Sequence, residues 1–178
     1  ATTAQLKKVW EQISERFKEY GDYLIFETMN EPREVGTPNE WSGGSTENRA
    51  VVNALNAAAV ETIRNSGGNN AARYIMTPQV AANAQTAIQS LKFPDNDDRI
   101  IVSIHNYDPF NFTLNQDEST GATDTWGTAA EVKAVQTFMK SYYNAFISKG
   151  RPVVMGEWGA ADKNNLNDRA HYYEVYAK

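Results

Sequence analysis

The sequence predicts an α/β fold built on a parallel sheet, and two observations carry that reading. Apolar segments alternate between helical spacing and short β-branched or aromatic runs, in the order αβαβαβαβα, across all 178 residues. The second is that the runs with strand character stop abruptly in polar residues or a proline. The carboxyl end of a parallel strand, where such proteins keep their chemistry, looks like this.

The first helix is expected over residues 5–20, with Leu6, Val9, Trp10, Ile13 and Phe17 at helical spacing and Trp10 in the core. Gly21-Asp22 turns it into a strand over Tyr23–Phe26, followed by Glu27-Thr28-Met29-Asn30-Glu31-Pro32. Pro32 has no N–H and should end the ladder. A long Gly/Pro/Ser/Thr-rich loop holding Trp41 runs to Ser45, too long for a simple βα connection and expected to form a pocket rim. Thr46 reads as an N-cap with Glu47 at the positive helix end. Val52, Leu55, Ala59 and Ile63 then mark an inner stripe that Gly67-Gly68 stops.

The second strand is expected over Arg73–Thr77, cut at Pro78, and the third helix presents Val80, Ala84, Ile88 and Leu91. Pro94-Asp95-Asn96-Asp97-Asp98 is a turn cluster without the spacing of a Ca²⁺ loop. The third strand, Ile100–Ile104, runs into His105-Asn106-Tyr107-Asp108-Pro109. Phe110, Phe112 and Trp126 lie in another long loop. Thr128 and Glu131 form a capping box for a helix striped by Val132, Val135, Met139, Tyr142 and Phe146. The fourth strand ends in Glu157, and a fifth helix runs from about Leu166 to Lys178.

Glu31 and Glu157 therefore close two apolar runs in one sheet. Paired carboxylates so placed are the equipment for cleaving a glycosidic bond, which needs a proton on the leaving oxygen and a nucleophile or activated water at the anomeric carbon. Asn30-Glu31-Pro32, His105-Asn106-Tyr107 and Gly156-Glu157-Trp158-Gly159, in this order, resemble glycoside hydrolase family 5, most nearly its bacterial endo-β-1,4-glucanases. The resemblance covers essentially the whole chain. It implies a retaining endo-acting hydrolase of β-1,4-glucan with Glu31 as acid/base and Glu157 as nucleophile. It implies that Asn30 bonds the sugar 2-hydroxyl, that Tyr107 orients Glu157, and that His105 contacts the sugar or the carboxylate network. Trp41, Phe112, Trp126 and Trp158 are candidate sugar platforms. Glu27 is expected to be a buried structural carboxylate that needs an arginine partner, one that a missing strand could carry.

A complete (β/α)8 barrel needs at least about 200 residues, so the chain is expected to be a single incomplete catalytic domain over residues 1–178. The four strands resemble the fourth to seventh of a TIM barrel. The family's other strands, with the arginine, second histidine and late tryptophan they carry, have no counterpart here. A companion segment or a second copy is expected to complete the barrel. Alternatives stay open: the same machinery on xyloglucan, mannan, xylan or mixed-linkage glucan, or a non-catalytic fragment that self-associates or only binds sugar.

With 17 Lys+Arg against 22 Asp+Glu, the chain lacks the basic stripe of a nucleic-acid binder, and a neutral polysaccharide suits it. No apolar run approaches a membrane span. There is no cysteine, and the two histidines are far apart in sequence, so neither metal nor cofactor is expected. An extracellular, bacterial location follows from the resemblance alone.

Overall fold

The structure, a computed structural model, describes residues 2–94 and 97–178. Asp95 and Asn96 of the expected turn cluster lie outside the described residues. The elements are α1 (Thr3–Phe17), β1 (Phe26–Glu27), α2 (Thr46–Asn65), β2 (Ile75–Asn83), α3 (Ala84–Ser90), β3 (Ile100–Asn106), α4 (Phe110–Thr113), α5 (Ala129–Ala145), β4 (Val153–Trp158) and α6 (Leu166–Ala177). The strands are parallel and adjacent in chain order, β1-β2-β3-β4, as consecutive βα units of a (β/α)8 barrel are. Phe26 faces Ile75 and Glu27 faces Met76 in the β1–β2 register. Among the described residues, no helix is long and apolar enough to cross a membrane.

The chain forms two compact units, Ala1–Ile104 with Gly150–Val154, and His105–Lys149 with Met155–Lys178. In the first unit, Trp10, Phe26, Ala59, Val60, Ile63, Ile75 and Ile100 make the core, with Leu6, Ile13 and Phe17 against it. The Trp10 indole N–H donates to the Thr28 carbonyl at 3.1 Å, so its polar edge is satisfied inside. Asn56, buried on α2, accepts from the Thr28 hydroxyl at 2.7 Å and donates to the Pro78 carbonyl at 2.8 Å. It thereby ties the residue after β1 to the middle of β2.

Helix ends follow local chemistry. Thr2 and Gln5 form a capping box for α1, and Thr128 and Glu131 form the expected one for α5. The N-cap of α2 is Ser45 rather than Thr46, because its box partner Asn48 stands three residues on. Val9, expected on the inner stripe of α1, is 49% exposed. Strand β1 is only two residues long, and Tyr23 and Ile25 of the expected strand are exposed. Strand β2 runs through Pro78 to Asn83, so Val80 belongs to it and the buried face of α3 is Ala84, Thr86 and Ala87. Ala81 and Ala82 near its end take left-handed backbone angles, φ +54° and +47°, and the Ala81 N–H reaches the Pro32 carbonyl at 2.9 Å.

The long loop after β1 is pinned at its far end. Arg49 donates to the Gly43 and Gly44 carbonyls at 2.9 and 3.2 Å. Gly43 has φ +87°, and a Cβ there would sit 2.1 Å from the Thr86 methyl. Gly43→Ala thus meets both a strained backbone and an occupied space. A stability loss of about 1–3 kcal/mol is expected in thermal or urea melts. Gly36→Ala, whose Cβ would meet nothing within 4 Å, shares only the backbone part of that penalty.

The core of the second unit is aromatic: Phe112, Trp126, Tyr172 and Tyr176 with Val135, and Trp158 packed at its margin. Burial pushes the Tyr172 hydroxyl well above the ordinary phenol range and raises that of Tyr176. Tyr176 keeps its hydroxyl partnered, accepting from Asn106 Nδ2 at 2.8 Å and donating to the Asp108 carbonyl at 3.0 Å.

Candidate active site

Glu31 belongs to the first unit. It follows the end of β1 by four residues rather than closing a long strand, and it holds a left-handed backbone, φ +42°. A non-glycine residue keeps such an angle only where its surroundings impose it. The surroundings here are specific. Pro32 is held through its carbonyl by Ala81, and Arg33 Nη1 donates to the Glu31 carbonyl at 3.0 Å. The same nitrogen stands 3.7 Å from Glu31 Oε2. Asn30 is exposed beside it. Trp41 is 58% exposed in the loop and lies against the Arg33 guanidinium.

Glu27, expected to be buried, is half-buried. Its Oε1 accepts a short hydrogen bond from the Ser103 hydroxyl of β3. A hydroxyl satisfies one lone pair without bringing a buried charge.

The second unit holds the other candidates. Glu157 lies one residue before the end of β4, its side chain 40% exposed. Tyr107 Oη donates to Glu157 Oε2 at 3.1 Å, and His105 Nδ1 stands 3.4 Å from the same oxygen. The structure thus brings His105, Tyr107 and Glu157 together, as the sequence predicts. Both partners address one carboxylate oxygen, which fixes the rotation of the group.

Trp158 is half-buried and stacks on Tyr176, ring centroids 5.4 Å apart at 14°. Trp126 and Phe112 depart from their expected place on a sugar-facing surface. Trp126 is 6% exposed, packed on Phe112, Tyr172 and His171, and Phe112 is wholly buried. The short helix α4 turns Phe112 inward, and the aromatic side chains of α6 close over it.

Two supporting residues escape a reading of the sequence. The Thr113 hydroxyl donates to the Tyr107 carbonyl, and the Thr113 carbonyl accepts from the Ala161 N–H at 2.7 Å. One buried threonine therefore fastens the chain segments that bear Tyr107 and Glu157. Arg33 is the other, the centre of a loop network described below. An isolated threonine or arginine in a loop carries no pattern that reveals such a role.

The family model for cellulase, glycosyl hydrolase family 5, matches residues 1–178. The chain belongs to glycosyl hydrolase family 5. It is 52% identical over 176 residues to Endoglucanase B of Clostridium cellulovorans, covering 98% of this chain and 40% of that protein. A broad-specificity endoglucanase structure from Clostridium acetobutylicum superposes with a TM-score of 0.91 at 44% identity, covering 98% of this chain and 52% of that one. One from Ruminococcus champanellensis, with bound cellotriose, gives 0.89 at 42% identity, covering 98% and 50%. The chain thus spans about half the length of the family 5 structures it matches.

Proposed function

We propose that the chain carries the two catalytic glutamates of a retaining endo-β-1,4-glucanase. The observation that supports this most is Glu157, whose Oε2 is engaged by Tyr107 and flanked by His105 at the carboxyl end of a barrel strand. In this reading Oε2 is held and Oε1 attacks the anomeric carbon. Glu31 donates its proton to the departing glycosidic oxygen as the C–O bond breaks. Glu31, now a carboxylate, takes a proton from water, which displaces Glu157 from the covalent glycosyl-enzyme. Two displacements return the original anomeric configuration.

Tyr107→Phe removes one hydrogen bond to an ionised group, so kcat should fall about 10- to 100-fold with little change in KM. Hydrolysis of carboxymethyl-cellulose, with NMR of the first-formed anomer, tests the reading. Appearance of the α-anomer first would rule out double displacement.

The two broad-specificity relatives favour a substrate class wider than cellulose. Polymers of that size are met outside the cell, where the enzyme is expected to act. We also propose that turnover requires the remaining strands of the barrel, on a companion segment or in a second copy, because an open parallel sheet leaves ladder groups unpaired. Light scattering of the chain at its 19.9 kDa formula mass, alongside the assay, tests this. A cooperative, fully active monomer is the result that would overturn it.

A further inference from the structure

We propose that Arg33 is a positioning residue that registers the exposed indole of Trp41 to the backbone of Glu31. This rests on the reading of Glu31 as acid/base and of Trp41 as a sugar platform, and it adds the part that sets one against the other.

The guanidinium makes several contacts at once. Its carbon lies 3.9 Å from the Trp41 ring centroid. Nε donates to Glu40 Oε1 at 3.0 Å, and Nη1 donates to the Glu31 carbonyl at 3.0 Å. Glu40 is fixed in turn, since its Oε2 accepts from the Gly36 N–H at 2.8 Å. The Gly36 N–H and Arg33 together hold the Glu40 carboxyl below the ordinary carboxylate range. Arg33 is thus a charged side chain with little freedom left, 26% exposed, between two carboxylates and one ring.

The consequence is mechanical. Trp41 is the most exposed of the four tryptophans and sits in a long loop. A bare indole there would sample many orientations, and a platform that moves costs ordering entropy each time a sugar docks. A planar cation over one face stiffens the ring and leaves the other face for the C–H face of a pyranose. The same cation holds the carbonyl of Glu31, whose backbone is left-handed. One side chain therefore sets both the platform and the carboxylate-bearing residue.

The test is a double-substitution cycle on Arg33 and Trp41 in the full chain, with two readouts. The first is motion of the Trp41 indole N–H by ¹⁵N relaxation, its resonance assigned from Trp41→Phe. Wild type should show the relaxation of ordered backbone. Arg33→Met should show that of a flexible loop, and Arg33→Lys should recover part of the order, having charge but no planar stack. The second is cellotetraose affinity. It should fall about tenfold in Trp41→Ala and about as much in Arg33→Met, with no further loss in the double variant. An indole equally rigid in Arg33→Met, or losses that simply add, would overturn the positioning role. Unchanged affinity in Trp41→Ala overturns it through the platform. The acid/base reading fails separately, on a Glu31→Gln variant that keeps full turnover of cellulose.

Discussion

Glu157→Ala and Glu31→Ala are each expected to lose about a thousandfold or more in turnover of cellulose, and azide should rescue them to opposite products. With Glu157 as nucleophile and Glu31 as acid/base, as proposed, the difference follows from which face of the sugar each carboxylate would serve. Removing Glu157 removes the nucleophile and leaves a gap below the anomeric carbon. Azide entering that gap attacks in its place, and no second displacement follows. The product is the α-glycosyl azide, with inverted configuration. Removing Glu31 leaves the nucleophile intact but strips the proton donor and the later base. On 2,4-dinitrophenyl β-cellobioside the leaving group needs no proton, so the glycosyl-enzyme still forms and accumulates. Azide, needing no base, then displaces Glu157 from the upper face and gives the β-glycosyl azide. NMR of the two products decides the assignment. The same anomer from both variants, or the reverse pairing, would exchange or refute the roles.

The parts of the molecule legible in the sequence are those written as local pattern. The α5 capping box is two residues at fixed spacing, and the inner stripes that bury Trp10 and Ile63 follow from helical period. The pairing of Tyr107 with Glu157 was legible only through the family resemblance. What was not legible depends on partners distant in sequence. Tyr23 to Ile25 has strand composition, but at its centre the Leu24 carbonyl is taken by Arg73 and the Leu24 N–H by the Gly21 carbonyl. The backbone of Leu24 is therefore committed to a side chain and a turn rather than to a ladder. Trp126 shows the converse. A loop tryptophan looks the same in sequence whether it faces solvent or a core, and here α4 and α6 enclose it. Glu27 reads as a buried carboxylate in sequence, yet it is only half-buried, and its Oε1 meets a serine hydroxyl 76 residues away on β3.

Arg73→Met is expected to cost about 3 kcal/mol or more of folding stability. Arg73 is 1% exposed and spends every guanidinium nitrogen on oxygen acceptors. Nε donates to Asn70 Oδ1 at 2.7 Å, Nη1 to the Gly21 and Leu24 carbonyls at 3.1 and 2.6 Å, and Nη2 to the Phe17 and Tyr20 carbonyls at 3.1 and 2.6 Å. Its acceptors include carbonyls at and just beyond the C-terminal end of α1, where helix carbonyls lack partners and carry partial negative charge. The ring of Phe26 lies 4.7 Å from the guanidinium carbon, so the cation is also packed. Methionine fills much of the space but leaves these carbonyls facing apolar atoms, each at a cost of about 1–3 kcal/mol where water cannot reach. Lysine should recover only part, because an ammonium has three donors and no fork. The pH dependence separates this from an ordinary ion pair. Burial lowers the proton affinity of Arg73, yet an arginine stays charged throughout the working range. The Met penalty should therefore be the same at pH 5 and pH 8, measured as the shift in urea midpoint at constant m. A midpoint unchanged by Arg73→Met, or fully restored by Arg73→Lys, would show that the five-donor network does not hold the turn between α1 and β1.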